Sequence, residues 1–333
     1  MENSEVKEKK NVVDEVMKIF TNEWNKQVIL YGPPGTSKTY SAIEIAAKFL
    51  DDGSLKGKEK EPSFHEMCEK FLKDMVNENR FKLVQFHPSY SYEDFVRGIT
   101  VKPRENKSGL SYEVESKIFE KFCNEKKEEK KVLIIDEINR APLASVLGEL
   151  IYGLEYRGKN IYTPYVIRDE SGKEKPLNIP DNLFIIGTMN TADRSIGSID
   201  YAVRRRFAFI SVPANADIIK STWDDEKIGE EAENLYKALL EGGEQIEGKQ
   251  TKGIFDEEYL EDTEIDVEDI KIGHSYFLGE NKSKEENDEN DYLSYRIKYQ
   301  VFPIYKEYIK DGIIKKSGEK NFKDICKHHN IDL

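Results

Sequence analysis

The sequence predicts a wound parallel α/β domain followed by a smaller helical one, and three observations carry that expectation. Five short apolar runs, QVILY (27–31), KLVQF (82–86), KVLIID (131–136), NLFIIGT (182–188) and FAFISV (207–212), have the continuous hydrophobicity of strands buried on both faces. Helical or loop stretches separate them, and strands alternating with helices imply a parallel sheet covered on both sides. From about residue 213 the pattern changes to helical periodicity and high acidity, with no strong apolar strand.

The elements follow in order. In NVVDEVMKIFTNEW (11–24), Val12, Val13, Val16, Ile19 and Phe20 fall at helical spacing, so a helix and tail over 1–26 precede the first strand. QVILY ends in a glycine turn, after which Tyr40 to Leu50 places Ala42, Ile43, Ala46, Ala47 and Leu50 on one helical face. The α/β domain spans 27–212. Between its strands, residues 160–180, with turn chemistry at Asp169-Glu170-Ser171-Gly172, fit an inserted hairpin. The helical subdomain spans 213–333. Within it Ile297, Val301, Ile304, Tyr305 and Tyr308 form one stripe in which Pro303 starts or kinks a helix. Asn281 to Asp291, NKSKEENDEND, reads as an exposed loop.

Composition sets limits. The 333 residues are enough for about two domains. The 38% hydrophobic content, with 16 Phe, 18 Tyr and 2 Trp, supports a large core and argues against global disorder. Cys68, Cys123 and Cys326 show no CxxC spacing, which speaks against a zinc site or a disulfide framework and for reduced intracellular thiols. With no apolar run near the roughly 18 residues needed to span a bilayer and no h-region in MENSEVKEKK, the expectation is a soluble, cytoplasmic chain with no membrane partner. Net charge is −13, but residues 224–270 alone carry 18 acidic and 4 basic side chains, so the rest of the chain is nearly neutral. DNA gripped by the acidic face is disfavoured; the α/β part has no such handicap.

The loop after QVILY carries the first chemistry. GPPGTSKT (Gly32, Pro33, Pro34, Gly35, Thr36, Ser37, Lys38, Thr39), followed by Tyr40, fits G-x-x-x-x-G-K-[ST] except that Ser37 stands where the pattern has its second glycine. Backbone N–H groups and a helix N-terminus cradle phosphates here, Lys38 reaches the β/γ oxygens and Thr39 ligates Mg²⁺. A bare strand-to-helix turn would need the same turn formers, but KVLIIDEINRA (131–141) adds a second feature. Its apolar strand ends in Asp136-Glu137, an Asp placed to hold Mg²⁺ beside a Glu placed to orient and deprotonate water. Two carboxylates capping a buried strand are costly without a task.

The run FIIGTMNTADRSIGSIDYAVRRRFAF (184–209) supplies a third feature. It resembles the signature of the McrB branch of AAA+ NTPases, the motor of modified-cytosine restriction systems, around Met189-Asn190-Thr191-Ala192-Asp193-Arg194-Ser195. DEINRA (136–141), FHPSYSYEDFVRGI (86–99) and IGHSYF (272–277) resemble segments of the same family, so the likeness extends from about residue 27 to 310.

The resemblance implies a P-loop AAA+ fold with a helical lid, and it makes Asn190 the sensor-1 side chain that holds the attacking water or the γ-phosphate. Arg140 and the run Arg204-Arg205-Arg206 are similar to positions that offer a guanidinium to a neighbouring subunit's nucleotide. The triple arginine also suits a solvated helix end. A trans arginine implies a homo-oligomeric, hexameric ring. The family further implies GTP rather than ATP as substrate, with Mg²⁺, and an McrC-like partner that carries the nuclease.

Weaker candidates remain. His274 reads as a packed, hydrogen-bonded residue, Arg296 as a lid arginine or a salt bridge, and Glu93 and Asp94 as residues shaping the site edge or a subunit contact. His328 and His329 lack partner ligands for a metal. Asp269-x-Lys271 is a chance echo of a nuclease centre, so cleavage falls to another chain. Only 31 residues precede Gly32, too few for an independent DNA-binding domain, and DNA contact is expected through the core, the ring or the partner. Two alternatives stand beside the GTPase motor: a MoxR-like ATP-driven remodeller of protein complexes, and a nucleotide-gated assembly module in which Ser37 leaves hydrolysis weak.

Overall fold

The structure, a computed structural model, describes residues 12–58, 64–103, 109–125, 128–192, 199–246, 248–261, 265–279 and 287–333. It divides into two compact units. The first comprises Met1–Tyr31 with Lys38–Ser211, the second Gly32–Ser37 with Val212–Leu333.

In the first unit, chain order runs through β1 (Gln27–Gly32), β2 (Phe81–Gln85), β3 (Arg97–Pro103), β4 (Leu110–Ser116), β5 (Lys131–Asp136), β6 (Leu183–Asn190) and β7 (Ala208–Ser211). Five of these form one sheet in the order β2-β5-β6-β1-β7, in which β2 with β5, β5 with β6 and β1 with β7 pair in parallel. The wound α/β fold read from the sequence is thus the fold observed. Val28, Ile29 and Leu30 of β1, Val132 to Ile135 of β5 and Leu183 to Ile186 of β6 are all buried, because layers cover both faces of a central strand. At the edge, β2 alternates buried and accessible residues.

Helix Val12–Thr21 buries Val13, Val16 and Phe20, and the Phe20 ring lies 5.2 Å from that of Phe49 and 5.0 Å from that of Phe184. The N-terminal helix is therefore part of the first unit's core. The hairpin expected within 160–180 consists of two isolated bridges, Ile161 with Leu177 and Arg168 with Glu174, closed by a turn in which Asp169 Oδ1 accepts from Ser171 N–H and Lys173 N–H. Pro164, Pro176 and Pro180 lack the N–H donors a regular ladder needs. A second hairpin, β3 with β4, pairs from Arg97↔Ser116 to Pro103↔Leu110 and has no counterpart in the sequence reading.

The second unit is mainly helical. Helix Glu226–Leu240 starts at the N-cap Asp225, whose side chain accepts from Lys227 N–H, and it buries Ile228, Ala232, Leu235, Tyr236 and Leu239 on one stripe. An antiparallel ribbon of β8 (Gly242–Ile246) and β9 (Lys249–Lys252) interrupts the expected helical pattern; its strands are polar, so no apolar run marks them. Residues 287–291 open helix Asn287–Arg296 where a loop was expected, while 280–286 lie outside the described residues. A π-turn, Ile297–Val301, then leads into helix Phe302–Lys310 with Pro303 in its first turn. Pro303 lacks an N–H and its ring crowds the preceding turn, which accounts for the irregularity N-terminal to it. Among the described residues no helix is long and apolar enough to cross a membrane.

Candidate functional site

Strand β1 delivers the chain into the loop Gly32–Thr39. Gly35 has φ +78°, and a Cβ there would meet the Tyr276 ring at 2.5 Å. Pro33 and Pro34 have no N–H, so the loop's donors come from Gly35 onward, while the Pro33 carbonyl accepts from Thr36 Oγ1 at 3.1 Å. Ser37 adopts φ 60°, a conformation natural to the motif's glycine. Helix Lys38–Leu50 follows at once, and the first-turn N–H groups of an α-helix have no intrahelical acceptors and carry the positive end of its dipole. The Tyr40 ring stacks on His65 with centroids 3.6 Å apart.

Asp136 closes β5 and gathers two hydroxyls. Thr39 Oγ1 and Thr188 Oγ1 each donate to Asp136 Oδ1 at 2.7 Å. Adjacent ligands of an octahedral Mg²⁺ lie about 2.9 Å apart. The Thr39–Asp136 spacing therefore fits two neighbouring ligands of one such ion.

Glu137 follows in the left-handed conformation, φ 53° and ψ 46°. That geometry costs a non-glycine residue roughly 1–2 kcal/mol and turns its carboxylate away from the strand direction. Three contacts hold it. Its N–H donates to Thr188 Oγ1 at 3.1 Å, Asn190 Nδ2 donates to its Oε1 at 2.6 Å, and Arg140 Nε lies 3.4 Å from its Oε2. Asn139 Nδ2 donates to the Asn190 carbonyl at 3.2 Å and fixes the end of β6.

The structure thus brings Thr39, Asp136, Glu137 and Asn190 together at the C-terminal ends of β5 and β6, with Arg140 beside them. Arg140, expected to face a neighbouring subunit, pairs here with Glu137 of its own chain. The 3₁₀ turn Ile138–Arg140 explains this, since residues three apart eclipse in that helix. Arg205 and Arg206 lie elsewhere. Both contact Glu155 Oε2, at 3.3 and 2.6 Å, and the Arg206 carbonyl accepts from Asn25 and Gln27 at the start of β1. They line a cavity of about 440 Å³ with Trp24, Gln27 and Arg157 at the N-terminal end of the sheet, opposite the carboxylates.

The weaker candidates have structural partners. Asp94 forms a capping box with Ser91, and Glu93 accepts from the Tyr165 hydroxyl, which holds its carboxyl below the usual range. Arg296 donates to the Ser275 carbonyl at 2.9 Å and to Gln300 Oε1 at 3.0 Å. Lys271 pairs with Glu268 and His329 with Glu231. His274 is buried and hydrogen-bonded, as the sequence suggested. Thr188 escaped sequence reasoning, although its place two residues before Asn190 puts both on one face of a strand.

The family model for the AAA domain, dynein-related subfamily, matches residues 65–207, a span holding Asp136, Glu137, Thr188, Asn190 and the triple arginine. The chain is 33% identical over 301 residues, 89% of its length, to the type IV methyl-directed restriction enzyme EcoKMcrB subunit of Escherichia coli K12, of which it covers 56%. The chain is an AAA+ protein of the McrB type. A second relative of this McrB-type chain, the type II restriction enzyme BsuMI component YdiS of Bacillus subtilis 168, is 27% identical over 215 residues, which are 54% of this chain and 55% of that protein. The McrB-type chain therefore spans about half the length of these curated relatives. Of the McrB signature, Met189 to Ala192 are described at the end of β6, and Asp193, Arg194 and Ser195 lie outside the described residues.

Proposed function

We propose that this chain is a cytoplasmic, ring-forming nucleoside triphosphatase, with GTP as substrate, whose hydrolysis drives an McrC-like partner nuclease on DNA. The observation that carries the hydrolytic reading is the convergence of Thr39 and Thr188 on Asp136 beside a Glu137 oriented by Asn190. Lys38 and the loop N–H groups would bind the phosphates, and Thr39 and Asp136 would hold Mg²⁺, which would neutralise phosphate charge. Glu137 accepts the proton of the attacking water, while Asn190 fixes the carboxylate and can bind that water or the γ-phosphate. Arg205 and Arg206 lie at the sheet end opposite their own carboxylates, which suits a role on the nucleotide of a neighbouring copy in a hexameric ring. The names of both relatives, a restriction enzyme subunit and a restriction enzyme component, support the restriction context and a nuclease on a separate chain.

Parallel steady-state hydrolysis of GTP and ATP by the wild type and by Glu137→Gln tests this reading. GTP turnover that Glu137→Gln abolishes is the expected result. Equal or preferred ATP turnover removes the GTP assignment. Absence of turnover with retained nucleotide-dependent assembly, read by sedimentation, replaces the motor with a gating module.

A further inference from the structure

Within the second unit, the segment Gly273–Tyr276 is built against the loop Gly32–Ser37. Gly273 N–H donates to the Pro34 carbonyl and Ser275 N–H to the Gly35 carbonyl, each at 2.9 Å. The fit leaves no room: a Cβ on Gly273 would stand 2.0 Å from the Gly35 carbonyl carbon and oxygen. Arg296 fixes the segment from its other side through the Ser275 carbonyl.

Between the two backbone bonds lies His274, 3% exposed. Its Nδ1 accepts from the Asn215 backbone N–H at 3.1 Å, so that nitrogen presents a lone pair and the neutral ring carries its proton on Nε2. Nε2 lies 3.1 Å from Ser37 Oγ, and a protonated ring nitrogen can only donate. Ser37 Oγ is therefore the acceptor, and its own hydrogen has no acceptor among the described residues. Ser37 is also the residue that departs from the phosphate-loop pattern, held at φ 60° where glycine would be unstrained. A strained serine with a spare donor, fixed by a buried histidine at the start of a phosphate-binding helix, has a use that glycine lacks.

We propose that Ser37 is a phosphate-positioning residue: the His274 Nε2–H holds Ser37 Oγ as an acceptor and so turns the hydroxyl hydrogen toward a phosphate oxygen of a bound nucleoside triphosphate. This rests on the nucleotide-binding reading above. The hydroxyl adds a charge-assisted bond to the backbone cradle, and its gain appears in ground-state binding. His274, 237 residues away in sequence, becomes part of that cradle without touching the nucleotide.

The test compares binding of the imido analogues of GTP and ATP, with Mg²⁺, to the full chain by calorimetry, together with KM and kcat. Ser37→Gly relieves the left-handed strain, so a purely structural role predicts unchanged or tighter binding. The proposal predicts binding weaker by about 5- to 10-fold, with KM raised and kcat nearly kept. His274→Gln retains an N–H able to reach Ser37 and stays near wild type. His274→Asn retains the acceptor for Asn215, loses the reach to Ser37 and matches Ser37→Gly. Wild type that binds neither analogue overturns the nucleotide reading and this inference with it. Wild type that binds while Ser37→Gly binds equally well or better overturns this inference alone, as does His274→Asn at wild-type affinity beside a weakened His274→Gln.

Discussion

Asn190 donates its side-chain amide to Glu137 Oε1 at 2.6 Å, joining the last residue of β6 to the first residue beyond β5. The bond orients a carboxylate whose backbone is already left-handed, and Arg140 faces the other oxygen. In the proposed reaction a carboxylate held this way is a pre-aligned general base, and its replacement would separate chemistry from binding.

Glu137→Gln keeps an oxygen for Asn190 and removes the base. Turnover is expected to fall by on the order of 10²–10⁴-fold while analogue binding is kept. Phosphate release and calorimetry check this, and a wild-type rate would take Glu137 out of the mechanism.

Arg205→Ala and Arg206→Ala are expected to lose turnover by up to about 10³-fold with binding preserved, if a guanidinium acts on a neighbouring copy. Mixing either variant with Glu137→Gln chains should restore some turnover, because an intact catalytic site then meets an intact arginine. Mixtures as inactive as the separate variants would count against action between copies.

The fully buried Arg97 joins both hairpins of the first unit. It makes a two-pronged pair with Glu120 at 2.7 and 2.6 Å and donates to the Tyr165 and Lys175 carbonyls. Glu120→Gln strands a buried charge and should destabilise the chain by about 3–5 kcal/mol, read from urea unfolding. Arg97→Met combined with Glu120→Leu should recover part of that loss, because no unpaired charge remains.

Burial pushes the thiols of Cys68, Cys123 and Cys326 up to about 12 from an ordinary value of 9.0. Protonated thiols are favoured in the native state, so this contribution is complete below pH 9 and is lost as pH rises from 9 through 12. Thermal unfolding across that range should show declining stability, with a shallower decline in Cys326→Ala relative to its own value at pH 8. Native thiols should react slowly with a disulfide reagent at pH 8, and rapid modification of all three would contradict their burial.

The central sheet was legible because β1, β5 and β6 are buried on both faces and therefore read as unbroken apolar runs. Asp136 and Glu137 were legible for the complementary reason, two carboxylates at the end of such a run. The β3–β4 hairpin was not. Its Ile99, Val101 and Tyr112 face outward at 58%, 49% and 72% exposure, so their alternation answers to no core. The pairing of Arg140 with Glu137 was not legible, because spacing along the chain does not reveal the 3₁₀ turn that brings the two side chains together. The bond between Ser37 and His274 joins residues 237 apart, a distance at which only tertiary packing decides who meets whom.

That interlock bears on biosynthesis. During translation the loop Gly32–Ser37 leaves the ribosome before the groups that clamp it, and His274 follows 237 residues after Ser37. A nascent chain that has not reached Gly273 carries the loop without its clamp, so the loop's final shape waits on that segment. A chain that stops before Gly273 holds the Gly32–Ser37 sequence but lacks the backbone bonds from Gly273 and Ser275 that fix it.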